Sequence, residues 1–224
     1  MAGQLSTFSA IVFDMDGVLL DTETLYKEAM ERACRDLGVT MTPELHFAQI
    51  GIPAEIGEQM MIDAFGPEFP LRDYNARVHA SMLERLRHNV PVKDGALELL
   101  RELRRRNIPV AVATSTSSPT APERLARAGL LDFLGALVTR SDVTHGKPHP
   151  EPFLTAAARL KVSPADCLAI EDSYNGIRAA HAAGMRPIMI PDLLPPHDDV
   201  TPLCHSIFHS LDHFRDAAFP LTGR

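Results

Sequence analysis

Asp14, Asp16 and Gly17 stand directly after the apolar run 10–13, and their types and spacing suit the chemistry of metals or phosphates. A short apolar run that stops at acidic residues is typical of a buried strand. Period-two geometry places Asp14 and Asp16 on the same side of an extended segment, so that one ion could meet both. Gly17 then allows the chain to turn away. The motif predicts carboxylates at the end of a sheet, where α/β enzymes carry out their chemistry.

Taken alone, this motif has two other interpretations. It can be a strand followed by an ordinary polar turn, which is the commoner case for a bare Asp-x-Asp-Gly sequence. It is also loosely similar to a calcium-binding loop, but such a loop needs a preceding helix and a polar interior. Because a strand is predicted before Asp14 and the apolar residues 18–20 follow Gly17, the calcium loop is disfavoured.

A second apolar run, residues 108–113, ends in the consecutive serines and threonines 114–118. Hydroxyl groups and free N–H groups at the end of a strand suit the binding of phosphate. By itself, such a cluster is more often a helix cap or a loop. Its meaning therefore depends on the other motifs of the chain.

Two more motifs follow further along. Lys147 lies in the proline-rich turn 145–152, and Glu171 and Asp172 directly follow the apolar run 167–170. A lone lysine is usually solvated, and surface carboxylates after a strand are common. Paired acids at the end of a third apolar run strengthen the interpretation of a shared site at one edge of a sheet.

In this order, the four motifs resemble those of the haloacid dehalogenase (HAD) superfamily of phosphotransferases, in the branch of β-phosphoglucomutases and small-metabolite phosphatases. The resemblance implies a HAD-type phosphoric monoester hydrolase. The expected enzyme is a Mg²⁺-dependent phosphatase that hydrolyses a sugar phosphate or nucleotide-like ester through an aspartyl-phosphate intermediate. The resemblance runs from about Ser9 to about Pro191 and is carried by Asp14 and Asp16, Thr114, Lys147, and Glu171 and Asp172.

The resemblance assigns roles to the acidic residues. Asp14 is expected to attack phosphorus in line, and Asp16 to protonate the leaving oxygen and later to deprotonate the attacking water. Mg²⁺ is the expected cofactor, because this cation prefers hard oxygen ligands and accepts substrate phosphate as a ligand. Its expected ligands are the carboxylates of Asp14 and Asp172 and the backbone carbonyl of Asp16.

The other candidate residues would bind the substrate or support the metal. Lys147 would hold the nucleophile ionised and neutralise the transferring group. The Thr114 hydroxyl and the Ser115 N–H group would bind phosphate oxygens, and Gly51 would lie in the loop that faces the substrate. Glu171 would orient metal-bound water rather than bind the metal directly.

The alternation of strands and helices stops after Gly17 and resumes near Val90. Between them, apolar residues recur at helical spacing. This pattern predicts an α/β fold with a doubly wound parallel, Rossmann-like sheet, right-handed crossovers and a small inserted helical cap. The catalytic core would comprise residues 1–21 and 90–224, and the cap residues 22–89.

The elements of the core can also be predicted one by one. Asn175 is expected to cap the helix that follows Asp172. Residues 191–199, rich in proline and aspartate, are expected to form a loop. The predicted elements, in chain order, are a helix opened by Asp94 and Gly95 that runs through Arg106, strand 109–114, helix 120–129, strand 135–139, helix 150–160, strand 166–171, helix 175–183, strand 186–190 and an edge strand at 206–208.

The composition of the 224 residues argues against several classes of partner. A net charge of −7 and a pI near 5.8 disfavour a nucleic-acid surface, which needs clustered Lys and Arg. No apolar stretch approaches membrane length and no signal peptide is recognised, so we expect a cytoplasmic protein without a membrane partner. Cys34, Cys167 and Cys204 lie far apart, which predicts reduced thiols. We expect a small-molecule phosphate ester as partner, and a monomer or weak homo-oligomer.

Other activities of the resembling family fit less well. Dehalogenases lack a carboxylic acid at the position of Asp16, and the one lysine of the predicted cap, Lys27, is not in the cap loop, where phosphonate hydrolases carry theirs. Where β-phosphoglucomutases have His, Lys and Arg, this chain has Tyr26, Ile50 and Ala54. Water is therefore the favoured acceptor. A β-phosphoglucomutase-type phosphosugar mutase and a non-catalytic HAD-like binding protein stay open as alternatives.

Overall fold

Six parallel strands form one sheet in the computed structural model, which describes residues 7–50, 52, 54–87 and 89–220. The strands are β1 (Ala10–Phe13), β2 (Val110–Ala113), β3 (Ala136–Val138), β4 (Cys167–Glu171), β5 (Arg186–Met189) and β6 (Ser206–Ile207). Their order across the sheet is β3-β2-β1-β4-β5-β6, so that the chain order reverses beside β1. This is the predicted doubly wound, Rossmann-like sheet, which is thereby confirmed, and such sheets bind ligands at the carboxyl ends of the strands near the reversal.

The side chains of the central strand β1 alternate between the two faces of the sheet. Ala10 and Val12 belong to one hydrophobic cluster and Ile11 and Phe13 to the other, and all four are fully buried. The alternation follows from extended geometry, in which successive side chains point to opposite faces. β1 pairs in parallel with both β2 and β4. Asp14, the residue after β1, therefore lies beside the carboxyl ends of these two strands.

Nine α-helices accompany the sheet in the described ranges. They are α1 (Glu23–Asp36), α2 (Pro43–Gln49), α3 (Ala54–Phe65), α4 (Leu71–Leu86), α5 (Ala96–Arg105), α6 (Thr120–Arg127), α7 (Glu151–Leu160), α8 (Tyr174–Ala182) and α9 (Leu211–Ala218). Leu99 of α5, Leu125 of α6 and Phe214 of α9 pack on one face of the sheet. Phe153 of α7 and Ala179 of α8 pack on the other, so helices cover both faces.

Helices α1–α4 lie between β1 and α5 and pack around a hydrophobic cluster of their own. Cys34 of α1, Met61 of α3 and Tyr74 of α4 are buried together in it. Ala29 of α1 and Met82 of α4 belong instead to a cluster of the sheet. The four helices therefore share a small core and rest on the sheet layer through α1 and α4.

The predicted elements of the sheet layer are all present, and their bounds differ from the observed ones by one or two residues. The predicted cap of α8 was wrong. Ser173, not Asn175, is the N-cap: its hydroxyl accepts a hydrogen bond from the Gly176 N–H at 3.1 Å, and the helix begins at Tyr174. None of the helices in the described part of the chain is long and apolar enough to cross a membrane.

Candidate active site

The ends of neighbouring strands bring the motif residues together. Asp14 follows β1, Thr114 follows β2, Glu171 ends β4 and Asp172 follows it. Because β1 lies between β2 and β4, these residues share one edge of the sheet. Lys147 reaches the same place from the loop before α7, and all five side chains are buried. Residues from four separate motifs thus form one cluster.

Lys147 joins the acidic residues of this cluster. Its ammonium group makes ion pairs with Asp14 Oδ1 and with Glu171 Oε1, and its side chain is only 4% exposed. The Nζ atom also lies 5.1 Å from the centroid of the Phe153 ring. Burial lowers the pKa of Lys147, but attraction to the two carboxylates outweighs burial and raises the pKa overall. Lys147 is therefore charged at neutral pH.

Glu151 holds the loop that carries Lys147. It lies in the first turn of α7, and its carboxylate accepts hydrogen bonds from the N–H groups of Thr144 at 2.8 Å and of His145 at 2.9 Å. These bonds fix the path of the chain just before the lysine. His145 and His149 are exposed on this loop and do not join the buried cluster.

Glu171 is fully buried and is hydrogen-bonded through both oxygens. One oxygen faces Lys147, and Oε2 accepts from the Asp172 N–H at 3.2 Å, the Ser173 N–H at 3.2 Å and the Ser173 hydroxyl at 3.0 Å. Gly176 packs so closely against the carboxylate that a Cβ there would collide with it. Glu171 is therefore held in one orientation by its surroundings.

The acidic part of the cluster suits a divalent cation. Asp14, Glu171 and Asp172 each offer a carboxylate oxygen, and these oxygens lie within 4.8 Å of one another. Burial and the neighbouring carboxylates raise the pKa of Asp172, and burial also raises that of Asp14, although Lys147 opposes the shift. One lysine therefore does not balance the negative charge that full ionisation would place here. Crowded, buried oxygen ligands of this kind fit a hard metal ion.

Gly17 brings the chain past Asp172 at close range. Its φ of 82° lies in the left-handed region, and a Cβ at this position would collide with the Asp172 carboxylate. Its N–H donates a hydrogen bond to the Leu20 carbonyl at 2.8 Å, which closes the loop after β1. Both the turn and the close approach therefore require glycine.

The Asp16 carboxylate is held by donors from three other parts of the chain. Its Oδ1 accepts from the Thr22 hydroxyl at 2.6 Å and from Arg124 at 3.3 Å, and Oδ2 accepts from the Thr116 hydroxyl at 2.7 Å. Asp16 is not among the acids whose oxygens converge beside Asp14. The two neighbouring aspartates thus have different environments, one ion-paired to a lysine and one held by hydroxyls and an arginine.

Arg124 connects Asp16 to the helices on the other side of the site. The guanidinium also donates to the Tyr26 hydroxyl of α1 at 2.8 Å, and the residue is only 8% exposed. Arg124 and Thr22 were not predicted as site residues. An arginine in the last turn of a helix ordinarily faces solvent, and a threonine just before a helix ordinarily caps it. Thr116 lies in the Ser/Thr run 114–118 after β2, but only Thr114 and Ser115 of that run were predicted to bind the substrate.

Glu23, in the first turn of α1, is a further acidic group beside the site. Burial, and to a smaller extent the charges of Asp16 and Asp192, raise its pKa to about 7 against the opposing effect of Lys93. Lys93 itself is ion-paired with Asp192 at 2.7 Å. Near neutral pH, Glu23 is therefore partly protonated.

A cavity of about 370 Å³ lies between the strand ends and α1–α4. The predicted residues Asp14, Asp16, Thr114, Ser115, Lys147 and Asp172 all line it, whereas Glu171 does not. Gly51 lies outside the described residues. On the helical side, the polar lining comprises Glu23 and Tyr26 of α1, His46 and Gln49 of α2, Glu58 of α3, and Tyr74 and Asn75 of α4.

The end of β2 supplies hydroxyl groups to this cavity. The Thr114 hydroxyl accepts a hydrogen bond from the Thr116 N–H at 3.0 Å, which turns the chain after the strand. Thr114 is 3% exposed, and Ser115 and Thr116 line the cavity beside it. A phosphate group placed near Asp14 would therefore meet a wall of hydroxyl and amide donors.

The chain is similar to a known protein family, to named relatives and to solved structures. The family model of haloacid dehalogenase-like hydrolases matches residues 8–184. A phosphorylated carbohydrates phosphatase of Thermotoga maritima is 36% identical over 179 residues, which cover 80% of this chain and 83% of the relative. A beta-phosphoglucomutase of Bacillus subtilis is 33% identical over 189 residues, or 79% and 80% of the two chains. The structure of CbbY from Rhodobacter sphaeroides in complex with phosphate has a TM-score of 0.72 at 27% identity and covers 92% of this chain and 95% of that one.

Proposed function

Because this chain belongs to the haloacid dehalogenase-like hydrolases, we propose that it is a Mg²⁺-dependent phosphatase that hydrolyses a small phosphorylated metabolite through an aspartyl-phosphate intermediate. The predicted family and the predicted class of enzyme, a HAD-type phosphoric monoester hydrolase, are confirmed at that level by the family match and the named relatives. One observation carries the rest of the proposal: buried Lys147 pairs with Asp14 beside Asp172 in a cavity that also contains Asp16.

The proposed metal ligands are the carboxylates of Asp14 and Asp172 and the backbone carbonyl of Asp16. When bound, Mg²⁺ would offset the negative charge of the phosphate and of the carboxylates, so that an anionic nucleophile can approach an anionic ester. The convergence of buried carboxylate oxygens and their raised pKa values support this assignment. Glu171, already hydrogen-bonded through both oxygens, would orient its neighbours rather than act as a ligand.

In the first step, an Asp14 oxygen would attack phosphorus in line with the leaving alcohol. The new phosphorus–oxygen bond forms as the bond to the leaving oxygen breaks, and Asp16 gives its proton to that oxygen. Lys147, the Thr114 hydroxyl and the Ser115 N–H would bind the oxygens of the transferring group.

In the second step, water would attack the phosphorus of the aspartyl phosphate while Asp16 takes its proton. Inorganic phosphate leaves, and the Asp14 carboxylate is restored. Arg124 can only donate hydrogen bonds, and the carboxylate form of Asp16, which this step requires, can accept one from it. The hydroxyls of Thr22 and Thr116 can turn and accept a hydrogen bond instead, and they can therefore accommodate the protonated form needed in the first step.

We also propose that α1–α4 act as a cap that corresponds to the predicted insert 22–89. These helices supply the wall of the cavity that faces the strand ends. Closure of the cap would exclude water while the phosphoaspartate forms. Gly51 stays a predicted substrate-binding residue, and its chain neighbours Ile50 and Ile52 line the cavity.

A β-phosphoglucomutase-type mutase is the second candidate, because one relative carries that name. The basic groups expected of such a mutase are absent at Tyr26, Ile50 and Ala54. The Tyr26 hydroxyl instead accepts a hydrogen bond from Arg124. Water is therefore our preferred acceptor. The third candidate, a non-catalytic binding protein, is disfavoured because each predicted motif is chemically intact.

Other expectations from the sequence stay predictions. The partner is taken to be a small-molecule phosphate ester rather than a nucleic acid or a membrane. A monomer or weak homo-oligomer and a cytoplasmic location are also still to be tested.

The experiment that tests the proposal is phosphate release from sugar phosphates, nucleotides and other phosphomonoesters, with Mg²⁺ and with a chelator. We expect release that needs the metal, disappears in Asp14→Asn and persists in Asp198→Asn, a matched change at an exposed aspartate. Release from no ester, or equal release by Asp14→Asn, would contradict the proposal. Conversion of glucose 1-phosphate that needs a catalytic bisphosphate would favour the mutase.

A further inference from the structure

Two exposed histidines and a glutamate form a second cluster of side chains that can bind a metal in the described part of the chain. They are His145 and His149, which flank Lys147 on its loop, and Glu151 in the first turn of α7. One ring nitrogen of each histidine and one oxygen of Glu151 lie within 4.8 Å of one another. The proposed phosphatase reaction gives the two imidazoles no role.

Both imidazoles approach the same oxygen atom. His145 Nδ1 lies 3.0 Å from Glu151 Oε2, His149 Nδ1 lies 3.9 Å from it, and the centroids of the two rings are 4.5 Å apart. The ligand atoms of one tetrahedral cation, with bonds of about 2.0–2.1 Å, are about 3.3 Å apart. The two distances lie on either side of that value, and rings exposed to solvent can turn to bring their nitrogens to a shared cation.

The Glu151 carboxylate is already oriented and charged. Its oxygens accept hydrogen bonds from the N–H groups of Thr144 at 2.8 Å and His145 at 2.9 Å. These hydrogen bonds lower the pKa of Glu151, so the carboxylate is ionised at neutral pH. An ionised carboxylate has about four lone-pair positions, so a cation can bind while both backbone hydrogen bonds persist. Hydrogen bonds of this kind orient carboxylates that bind metals.

The contacts that a cation would replace at the two rings are weak or easily exchanged. His149 Nδ1 accepts a hydrogen bond from the Glu151 N–H group at 3.2 Å, so this nitrogen carries a lone pair rather than a proton. His145 can carry its ring proton on Nε2 instead of Nδ1, because a neutral imidazole has two tautomers. The side chains of His145 and His149 are 62% and 49% exposed, so water can reach the cation and complete its coordination.

The donor atoms of this cluster select a different cation from the buried acidic cluster. Two imidazole nitrogens and one carboxylate favour Zn²⁺ and its late first-row neighbours, whereas Mg²⁺ prefers hard oxygen ligands. The acidic cluster offers three carboxylates and no imidazole. The Lys147 ammonium does not oppose a cation at the histidines, because it is buried and paired with Asp14 and Glu171.

We propose that His145, His149 and Glu151 form a binding site for Zn²⁺ or a similar late first-row divalent cation, with water completing its coordination. The cation would join the two ends of the segment 145–149, whose middle residue is Lys147, to the start of α7. It would hold the loop of Lys147 from the outside and take no part in the reaction. The inference goes beyond the proposed phosphatase function, and its tests measure binding and hydrogen exchange rather than activity.

Calorimetric titration of Zn²⁺ into the untagged chain, with excess Mg²⁺ to occupy the acidic cluster, tests the site. We expect His145→Asn and His149→Asn each to weaken binding about tenfold or more, because each removes one of three protein ligands. His213→Asn is the matched control: His213 is exposed and its ring is 6.0 Å from that of His209, but it joins no cluster of three metal-binding side chains in the described ranges. No binding of Zn²⁺ to the wild type, or equal affinities in the wild type and both loop variants, would overturn the proposal.

Cu²⁺ identifies the ligands by spectroscopy, because it favours the same donor atoms as Zn²⁺. Electron paramagnetic resonance of the Cu²⁺-loaded chain should show coupling to two imidazole nitrogens, and to only one in His149→Asn. Binding at the acidic cluster would give no imidazole coupling, since that cluster consists of carboxylates. A spectrum without nitrogen coupling, or one that His149→Asn leaves unchanged, would overturn the proposal.

Hydrogen exchange measures whether the cation holds the loop. The amide protons of Thr144 and His145 are bonded to Glu151, and they exchange when the loop opens. A cation that binds only the closed loop should slow this exchange about tenfold at a Zn²⁺ concentration of about ten times Kd. The effect should be much smaller in His149→Asn at the same concentration and unchanged in His213→Asn. Equal exchange rates with and without Zn²⁺ in the wild type would contradict the proposed role in holding the loop.

Discussion

Arg124 Nη1 lies 3.3 Å from Asp16 Oδ1, although 108 positions separate the two residues in the sequence. The same guanidinium donates a hydrogen bond to the Tyr26 hydroxyl of α1. Arg124 thus joins α6, the loop after β1 and the helices over the cavity. This contact gives the helical side of the cavity a direct connection to the proposed acid and base.

Arg124→Gln should slow the hydrolysis of alkyl phosphates about tenfold in kcat, because Asp16 loses a donor that fixes its direction. The loss should be smaller for an aryl phosphate, whose leaving group departs without a proton. Steady-state kinetics with both esters measures the difference. Arg101→Gln is the matched control, since that side chain is 63% exposed. Equal losses with the two esters would argue against a positioning role.

Asp16→Asn should abolish the proton transfer itself. We expect kcat for alkyl phosphates to fall about a hundredfold to ten-thousandfold, with a smaller loss for aryl phosphates. A plot of log kcat against the pKa of the leaving alcohol should therefore be steeper for the variant than for the wild type. Parallel plots would mean that Asp16 does not act as the acid.

Mg²⁺ binding near neutral pH should release protons. The pKa values of Asp14 and Asp172 are raised by burial and by neighbouring carboxylates, so a cation that binds these carboxylates must compete with protons. Calorimetric titration in two buffers of different ionisation enthalpy should give different heats. Asp172→Asn should weaken binding and reduce the release, while Asp198→Asn should do neither. Identical heats in both buffers would rule out this linkage.

Gly17→Ala and Gly38→Ala form a matched pair. Both glycines have positive φ, 82° and 77°, but a Cβ collides with Asp172 at Gly17 and has no atom within 4 Å at Gly38. Each variant should lose about 1 kcal/mol in free energy of unfolding from backbone strain. Gly17→Ala alone should also require about tenfold more Mg²⁺ for half-maximal activity, because it displaces a proposed ligand. The same Mg²⁺ requirement in both variants would count against Asp172 as a ligand.

Glu23 should make stability depend on pH. Its pKa in the folded protein is about 7, above the ordinary value of 4.5, so the folded state binds more protons than the unfolded state between these values. The free energy of unfolding should therefore fall as pH rises through this window, by about 3 kcal/mol for this group.

Glu23→Gln should remove that contribution, and urea unfolding of the metal-free protein at several pH values measures it. The variant should lose less stability than the wild type between about pH 4.5 and pH 7. Glu68→Gln, at an exposed glutamate, should retain the wild-type slope. A wild-type slope in Glu23→Gln would show that another group is responsible.

The sequence predicted the sheet and the cluster at its edge for local reasons. Each of Asp14, Thr114 and Asp172 follows an apolar run, and parallel strands place such ends side by side. Lys147 could be predicted as a site residue only from its place in the order of the four motifs and from the family resemblance. A lysine in a turn is usually solvated, so the residues around it do not indicate a site.

Contacts that depend on packing between distant elements could not be predicted. Arg124 is buried because α6 lies against the loop after β1, and Tyr74 faces the cavity because α4 packs on α1. The sequences of α6 and α4 contain no pattern that would predict these contacts. The wrong prediction of Asn175 as the N-cap of α8 has a different cause. Serine and asparagine both cap helices, and Ser173 and Asn175 lie only two positions apart.

A search for the phosphorylated nucleophile tests the proposed mechanism more directly than any other measurement. Asp16→Asn mixed with an aryl phosphate and Mg²⁺ should form the aspartyl phosphate and hydrolyse it slowly, because the base of the second step is missing. Acid quenching and mass spectrometry of the digest should find one phosphoryl group on Asp14 in this variant, and none when Asp14→Asn is added. Turnover of the ester without any phosphorylated Asp14, or with the phosphoryl group on another residue, would contradict Asp14 as the nucleophile.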